Sequence, residues 1–323
     1  MKKLILISSA VAMLFSACQK NSLINTDTPS AITQRSCGSM EVLAEQMKAD
    51  PTLESSMSAY EAVVQNNIKA IENGTSNYRL VNGVIEIPVV VNVLYRTAAE
   101  NISQAQIQSQ IDVLNEDFNA TNADFTKVPS TFSAVKANVG IRFVLDQVIR
   151  KSTTKTSWKT DDAMKKSTKG GINPTTPTTK LNLWVCTLSG GILGYAQFPG
   201  GASATDGVVI LNTGFGRTGT AAAPYNKGRT ATHEVGHWLN LRHIWGDATC
   251  GSDLVNDTPL HNTANYGCPA AGHKSTCSGT PIEMTMNYMD YTDDACMYMF
   301  SAGQKARVLA TFATGGPRAT FAQ

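Results

Sequence analysis

The sequence predicts an α+β fold: a twisted mixed sheet with a backing helix and a second, site-bearing helix, then a loop-rich C-terminal region. Three observations predict it. Val84 to Tyr95 is apolar and β-branched, interrupted only by Pro88, and reads as a buried strand. Ile107, Ile111, Leu114 and Phe118 then recur at helical spacing behind a candidate N-cap, Ser103. Several further strand candidates follow before a helix that begins near Thr230.

Taken in order, Lys2 and Lys3 precede an apolar run, Leu4 to Phe15. That run is too short for a bilayer of about 30 Å, which needs about 20 helical residues, and it reads as an export signal over residues 1–17. Phe15-Ser16-Ala17-Cys18 resembles a bacterial lipobox, with Phe15 where Leu is usual. Lipid on Cys18 would anchor the chain, each buried CH2 contributing about 0.8 kcal/mol. The chain is therefore expected outside the cytoplasm, as an outer-membrane or cell-surface lipoprotein or a secreted protein.

Residues 19–36 are polar and read as a tether. Residues 39–72 read as helical, ending at Asn73-Gly74. Ile141 to Ile149 alternates like a strand, 151–180 is a Thr/Lys/Pro/Gly-rich loop, and Leu181–Cys186, Ile192–Phe198 and Val208–Leu211 are strand candidates. The expected division is a tether and pro-segment over 18–78 and a catalytic domain over 79–323, its upper part reaching about 243 and its lower part 244–323.

Composition narrows the partners. Only 16% of residues are charged and the net charge is +2, with no basic stripe for nucleic acid. Hydrophobic residues make up 42%, enough for a real core. The expected partners are protein or peptide substrates, met as a monomer, with a membrane touched only through Cys18.

The chemistry lies in Thr232-His-Glu-Val-Gly-His-Trp-Leu-Asn-Leu-Arg-His243. His233 and His237, four apart on a helix, put two imidazoles on one face, a donor set that suits zinc. Glu234 stands beside them as a base for a metal-activated water. His243 is six residues further, about 600° along a helix, so the chain must turn for it to join as third ligand. Asn240 stands where the turn needs positive φ, which Asn tolerates best after Gly.

This spacing resembles the metzincin zinc signature, with Asn240 in place of its usual Gly. Asn287-Tyr-Met-Asp-Tyr291 then resembles the metzincin methionine turn. Met289 would form a soft floor under the histidines, and Tyr291 would reach a developing oxyanion. With Gly194-Tyr-Ala-Gln-Phe-Pro199, these stretches are similar to the pappalysin family of metzincins, in its short microbial, ulilysin- and mirolysin-like branch, over about residues 80–315.

The resemblance implies a metzincin-type fold and a zinc endopeptidase made as a latent zymogen, with structural calcium. It also implies an edge strand that aligns substrate by backbone pairing. Cys37, in Arg35-Ser-Cys-Gly38, resembles the cysteine switch of such pro-segments, a thiolate standing in for the catalytic water. Activation would cut within Asn73 to Arg79, at Tyr78–Arg79 if the branch's habit of cutting before a basic residue holds.

Of 7 cysteines, Cys250, Cys268, Cys277 and Cys296 cluster after the zinc motif and allow three pairings. The resemblance implies Cys250–Cys277 and Cys268–Cys296, each loop contributing on the order of 3 kcal/mol. Cys186 is expected as a buried free thiol. The resemblance places calcium on Asp253, the Val255 carbonyl, Asp257 and Thr258, an oxygen-rich loop that suits a hard cation. His261 and His273 are expected at the surface. Asp293 and Asp294 would favour Arg or Lys at P1′, although Ala295 stands where basic-specific members carry a pocket acid. Two other classes keep the zinc scaffold: an inactive zinc-binding surface lipoprotein, and a non-proteolytic zinc amidase. Glu234 speaks against the first, and an edge strand that pairs with extended peptide against the second.

Overall fold

The structure is a computed structural model that describes residues 32, 34–76, 80 and 83–322. The export signal, Cys18 and the Tyr78–Arg79 bond lie outside the described residues. Among the described residues, no helix is long and apolar enough to cross a membrane.

Five strands form the main sheet. They are β1 (Ile85–Tyr95), β3 (Ile141–Ser152), β4 (Leu181–Cys186), β5 (Gly194–Ala196) and β6 (Val208–Leu211), in the order β3-β1-β4-β6-β5. All neighbours are parallel except β5, which runs antiparallel to β6 and forms one edge. β1 sits between β3 and β4 and is buried on both faces for most of its length, so it reads as a continuous apolar run. Pro88 stays in register opposite Val144, and the ladder with β3 shifts between Val89 and Val90, where Asp146 of β3 is the extra residue.

Helix α3 (Gln104–Phe118) backs the sheet. The Ser103 hydroxyl accepts from Gln106 N–H at 3.1 Å, as an N-cap should. Asn115 exchanges hydrogen bonds of 2.9 and 2.8 Å with the Phe143 backbone, docking α3 on β3. Gln110 accepts from Gly216 N–H at 2.6 Å and donates to the Gly228 carbonyl at 3.0 Å. These bonds fix the entry to α4 (Arg229–Trp238), where Gly228 adopts φ 76°. Every residue of α4 is buried.

The C-terminal region has little regular structure until β7 (Phe300–Ser301), which pairs with β2 (Lys136–Ala137), and α5 (Ala302–Phe312). Disulfides Cys250–Cys277 and Cys268–Cys296 staple it across separations of 27 and 28 residues. Cys186 is a buried free thiol.

Two expectations need correction. The helical stretch 39–72 is two helices, α1 (Ser39–Ala49) and α2 (Leu53–Glu72), because Pro51 cannot continue a helix and biases Asp50 toward extended backbone. The strand expected over Ile192–Phe198 keeps ladder pairing only from Gly194 to Ala196. Both α1 and α2 lie against the rest of the unit: α1 on β5 and Phe198, α2 along α5.

Candidate metal centre and active site

Helix α4 presents His233 and His237 from one face, one turn apart. The chain then leaves the helix at Asn240, which adopts φ 71°, and returns His243 to the same point. His237 Nε2 lies 3.1 Å from His233 Nε2 and 3.1 Å from His243 Nε2. Each Nδ1 is spent outward: His233 on the Tyr288 carbonyl at 2.7 Å, His237 on the Leu241 carbonyl at 2.8 Å, His243 on Asp247 Oδ1 at 2.5 Å. A carbonyl cannot donate, so in His233 and His237 the proton sits on Nδ1 and the Nε2 lone pair is free. Burial pushes both imidazoles well below the usual histidine range, aided by the neighbouring rings, which keeps them neutral. Three imidazole Nε2 atoms converging on one point fit a divalent metal of the zinc type.

The fourth corner is Cys37. Its ligand atom and those of the three histidines all lie within 4.8 Å of one another, and all four residues are buried. Residues 36–38 run parallel to β5: Leu193 N–H donates to the Ser36 carbonyl at 2.9 Å, and Gly38 N–H to the Gly194 carbonyl at 2.9 Å. A side chain at Gly194 would meet Val209 O and the Glu234 side chain, so glycine there lets strand, base and pro-segment close together. The Cys37 thiol donates to Glu234 Oε2 at 3.2 Å, and the Ser39 hydroxyl to the same oxygen at 2.9 Å. Burial pushes the Glu234 carboxyl up to about 7 against these two bonds, and burial with the Glu234 charge pushes the Cys37 thiol up.

Met289 lies under α4. A Cβ added to Gly236 would stand 2.5 Å from its sulfur, so the glycine inside the zinc motif is what admits the methionine. The Tyr291 hydroxyl accepts from Cys37 N–H at 3.2 Å, within the site, and burial raises it. Trp245 stacks on His243 with ring centroids 4.3 Å apart.

Sequence reasoning missed Arg35. Its guanidinium is buried, donating to Asp294 Oδ1 at 2.6 Å, the Thr292 carbonyl at 3.1 Å and Thr230 Oγ1 at 3.3 Å, and it stands over the Tyr225 ring. Asp294 Oδ2 meanwhile accepts from Lys227 N–H at 2.8 Å and Arg229 N–H at 3.2 Å at the start of α4. Asp293 is only partly buried. Asp117 was missed too; it accepts from Thr232 Oγ1 at 2.8 Å and Tyr288 OH at 2.7 Å, joining α3, α4 and the methionine turn. A buried aspartate in a helical apolar stripe was the available signal.

Asp253, Val255 and Thr258 meet: Thr258 Oγ1 lies 2.9 Å from both Asp253 oxygens and 3.0 Å from the Val255 carbonyl. Burial raises Asp253 to about 7. Asp257 accepts from Ser301 Oγ at 2.6 Å and Gly303 N–H at 2.8 Å at the start of α5. His273 is exposed as expected, but His261 is fully buried. Its Nε2 accepts from Met284 N–H at 3.0 Å, a backbone bond the sequence pattern did not reveal, and burial lowers it to about 4.

Comparison with known proteins agrees with this geometry. Residues 179–313 match the family model described as pregnancy-associated plasma protein-A, peptidase family M43. An extracellular metalloprotease of Pyricularia oryzae is 35% identical over 294 residues, 87% of this chain and 89% of that protein. The chain belongs to the pappalysin family of metalloproteases. Mature mirolysin of Tannerella forsythia, solved with a cleaved peptide, is 46% identical with a TM-score of 0.72, over 74% of this chain and 96% of that one. A promirolysin mutant of the same organism is 41% identical with a TM-score of 0.79, over 89% of this chain and 97% of that one. This pappalysin is thus a metalloprotease of the mirolysin type, and its relatives are named extracellular enzymes.

Proposed function

We propose that the chain is the latent form of an exported zinc endopeptidase, silenced by Cys37 and selective for Arg or Lys on the carbonyl-distal side of the cut. One observation carries the reading: Cys37 completes a four-donor cluster with His233, His237 and His243. The wider likeness to the pro-form than to the mature form of mirolysin supports it, as do the extracellular relatives. The leader 1–17, lipid on Cys18, and removal of the segment up to about residue 78 belong to the same reading.

Zinc on the three histidines would polarise a peptide carbonyl and acidify a water. Glu234 is placed to take a proton from a water attacking the peptide carbonyl and to return it to the leaving amine. Tyr291 donates to the oxyanion, and the β5 edge aligns an extended substrate through its backbone. Asp294 supports the basic preference, since Arg35 fills its pocket as a substrate side chain would. Structural calcium belongs to the same reading, on Asp253, the Val255 carbonyl, Asp257 and Thr258, with Asp257 also accepting at the start of α5.

The test is digestion of a denatured protein mixture by the self-processed enzyme, with mass spectrometry of new termini and Glu234→Ala and chelator controls. Chelator-sensitive cuts before Arg or Lys are expected. Cuts without that bias remove the basic pocket; no cuts with the pro-segment gone remove the protease reading.

A further inference from the structure

Arg307 of α5 is nearly fully buried, and its guanidinium is divided between two tasks. Its Nε donates to the Asn240 carbonyl at 2.8 Å, steadying the turn between two of the converging histidines. Its two terminal nitrogens grip both oxygens of Glu61 at 2.7 and 2.6 Å, a fork-on-fork pairing. Glu61 lies on α2, in the segment that the proposed activation removes. The guanidinium and the Asp294 site lie on opposite sides of Cys37 along the pro-segment: Arg35 precedes it, and α1 and α2 follow it.

The surroundings favour a ligand there once α2 has gone. A cavity of about 370 Å3 at this junction is lined by apolar side chains and the carboxylates Glu54 and Glu61 of α2 from one side and by Pro199, Asn240 and Arg242 from the other. Phe198 packs on the His237 ring and against apolar side chains of α1 and α2: Met40, Leu43, Met47, Leu53 and Met57. Among the described residues no carboxylate pairs with Arg242. Loss of α1 and α2 frees the Arg307 guanidinium of Glu61, opens the cavity that Arg242 and Pro199 line and uncovers the apolar face of Phe198, a combination that takes a carboxylate flanked by apolar groups.

We propose that Arg307, with Arg242 beside it, is a carboxylate-binding subsite of the processed enzyme, taking an acidic substrate residue N-terminal to the scissile bond. Glu61 occupies it in the latent chain. The proposal rests on the reading that the segment before residue 79 is removed and that Asp294 faces the residue after the cut.

Two experiments on the self-processed enzyme test it. The first uses fluorogenic peptides identical around the cut, with a single Glu or Gln placed from two to six residues before it. The Glu form is expected to show a KM about tenfold lower at one or two of those positions. That advantage should shrink at high salt and fall to about twofold or less in Arg307→Lys, which keeps a donor for the Asn240 carbonyl. Arg242→Gln should weaken it in part, and the Gln peptides report whether each variant still folds and cuts. The second needs no catalysis: a labelled peptide of residues 53–72 should bind the processed enzyme about tenfold more tightly than its Glu61→Gln form. If the enzyme cuts nothing, the protease reading falls and the binding arm alone decides this one. Absence of a glutamate advantage in both arms, or an advantage that survives undiminished in Arg307→Lys and Arg242→Gln, overturns the proposal.

Discussion

The Cys37 thiol lies 3.2 Å from Glu234 Oε2, so one residue of the pro-segment engages both the histidine cluster and the base. Removing the thiol should free both. Cys37→Ala is expected to shorten the lag before self-processing severalfold. Ser39→Ala, which removes only the 2.9 Å bond to the same oxygen, should shorten it less. Time courses of N-terminal sequencing on the two variants check this; equal lags for Cys37→Ala and the parent would refute the switch.

Arg35 provides a second hold on the same segment. Its pairing with Asp294 is buried on both sides, and truncating one partner of such a pair typically costs about 3–5 kcal/mol. Arg35→Ala should therefore loosen the pro-segment and raise the activity of uncut chain on a small peptide, while Arg35→Lys restores part of the latency. Peptide assays on an uncleavable chain compare them. Activity unchanged in Arg35→Ala would mean that Asp294 holds nothing the latent state needs.

Gly236 and Met289 make the third case. The gap that a Cβ would occupy is already filled by sulfur at 2.5 Å, so Gly236→Ala must displace the methionine or the helix. Overpacking of this kind costs about 1–3 kcal/mol. Thermal unfolding should show a lower midpoint, and kcat should fall with it because His233 and His237 ride on the same helix. Unchanged values would show that the site has slack.

These cases also show what was readable from residues alone. His233, Glu234 and His237 were legible because helical periodicity fixes which side chains share a face, and Asn240 because few residues tolerate positive φ. The strand and helix order was legible from the apolar runs around β1 and from the Ser103 cap. Arg35, Asp117 and Glu61 were not, because each acts through a partner more than a hundred residues away, and nothing local distinguishes a buried ionic side chain from a solvated one. His261 was misread for a different reason: its partner Met284 N–H is a backbone group, which leaves no mark in the residue pattern. The break at Asp50 was readable from Pro51 but is local, and the apolar spacing on either side masked it.

The Glu61–Arg307 pair predicts how latency depends on pH. Arg307 holds the Glu61 carboxyl down to about 2 against the burial that would raise it. A carboxyl whose folded value is depressed contributes stability above its unfolded value of about 4.5, and that contribution fades as pH falls toward 2. Glu61→Gln should therefore weaken the latent chain by a constant amount between pH 6 and 8. The difference from the parent should close between about pH 4.5 and 2. Denaturation midpoints of both chains across this range check the sign. A difference that vanished already near neutrality would mean Glu61 gains nothing from its charge.

His243 depends on Asp247 more than the other two histidines depend on any side chain. Their Nδ1 atoms rest on backbone carbonyls, which no substitution removes, whereas His243 Nδ1 lies 2.5 Å from a carboxylate that is 23% exposed. That carboxylate orients the ring and strengthens Nε2 as a donor. Asp247→Ala should lower metal affinity by about 10–100-fold, with Asp247→Asn nearer the parent because its amide oxygen still accepts. The Asp247 backbone sits at φ 57°, which Asn tolerates at less cost than Ala, so some of the alanine loss is conformational. Asp247→Gly separates the two effects, since it relieves the backbone and still removes the acceptor. Competition against a graded series of chelators measures all three. Affinity in Asp247→Gly equal to the parent would place the role of Asp247 in the turn and not on the ring.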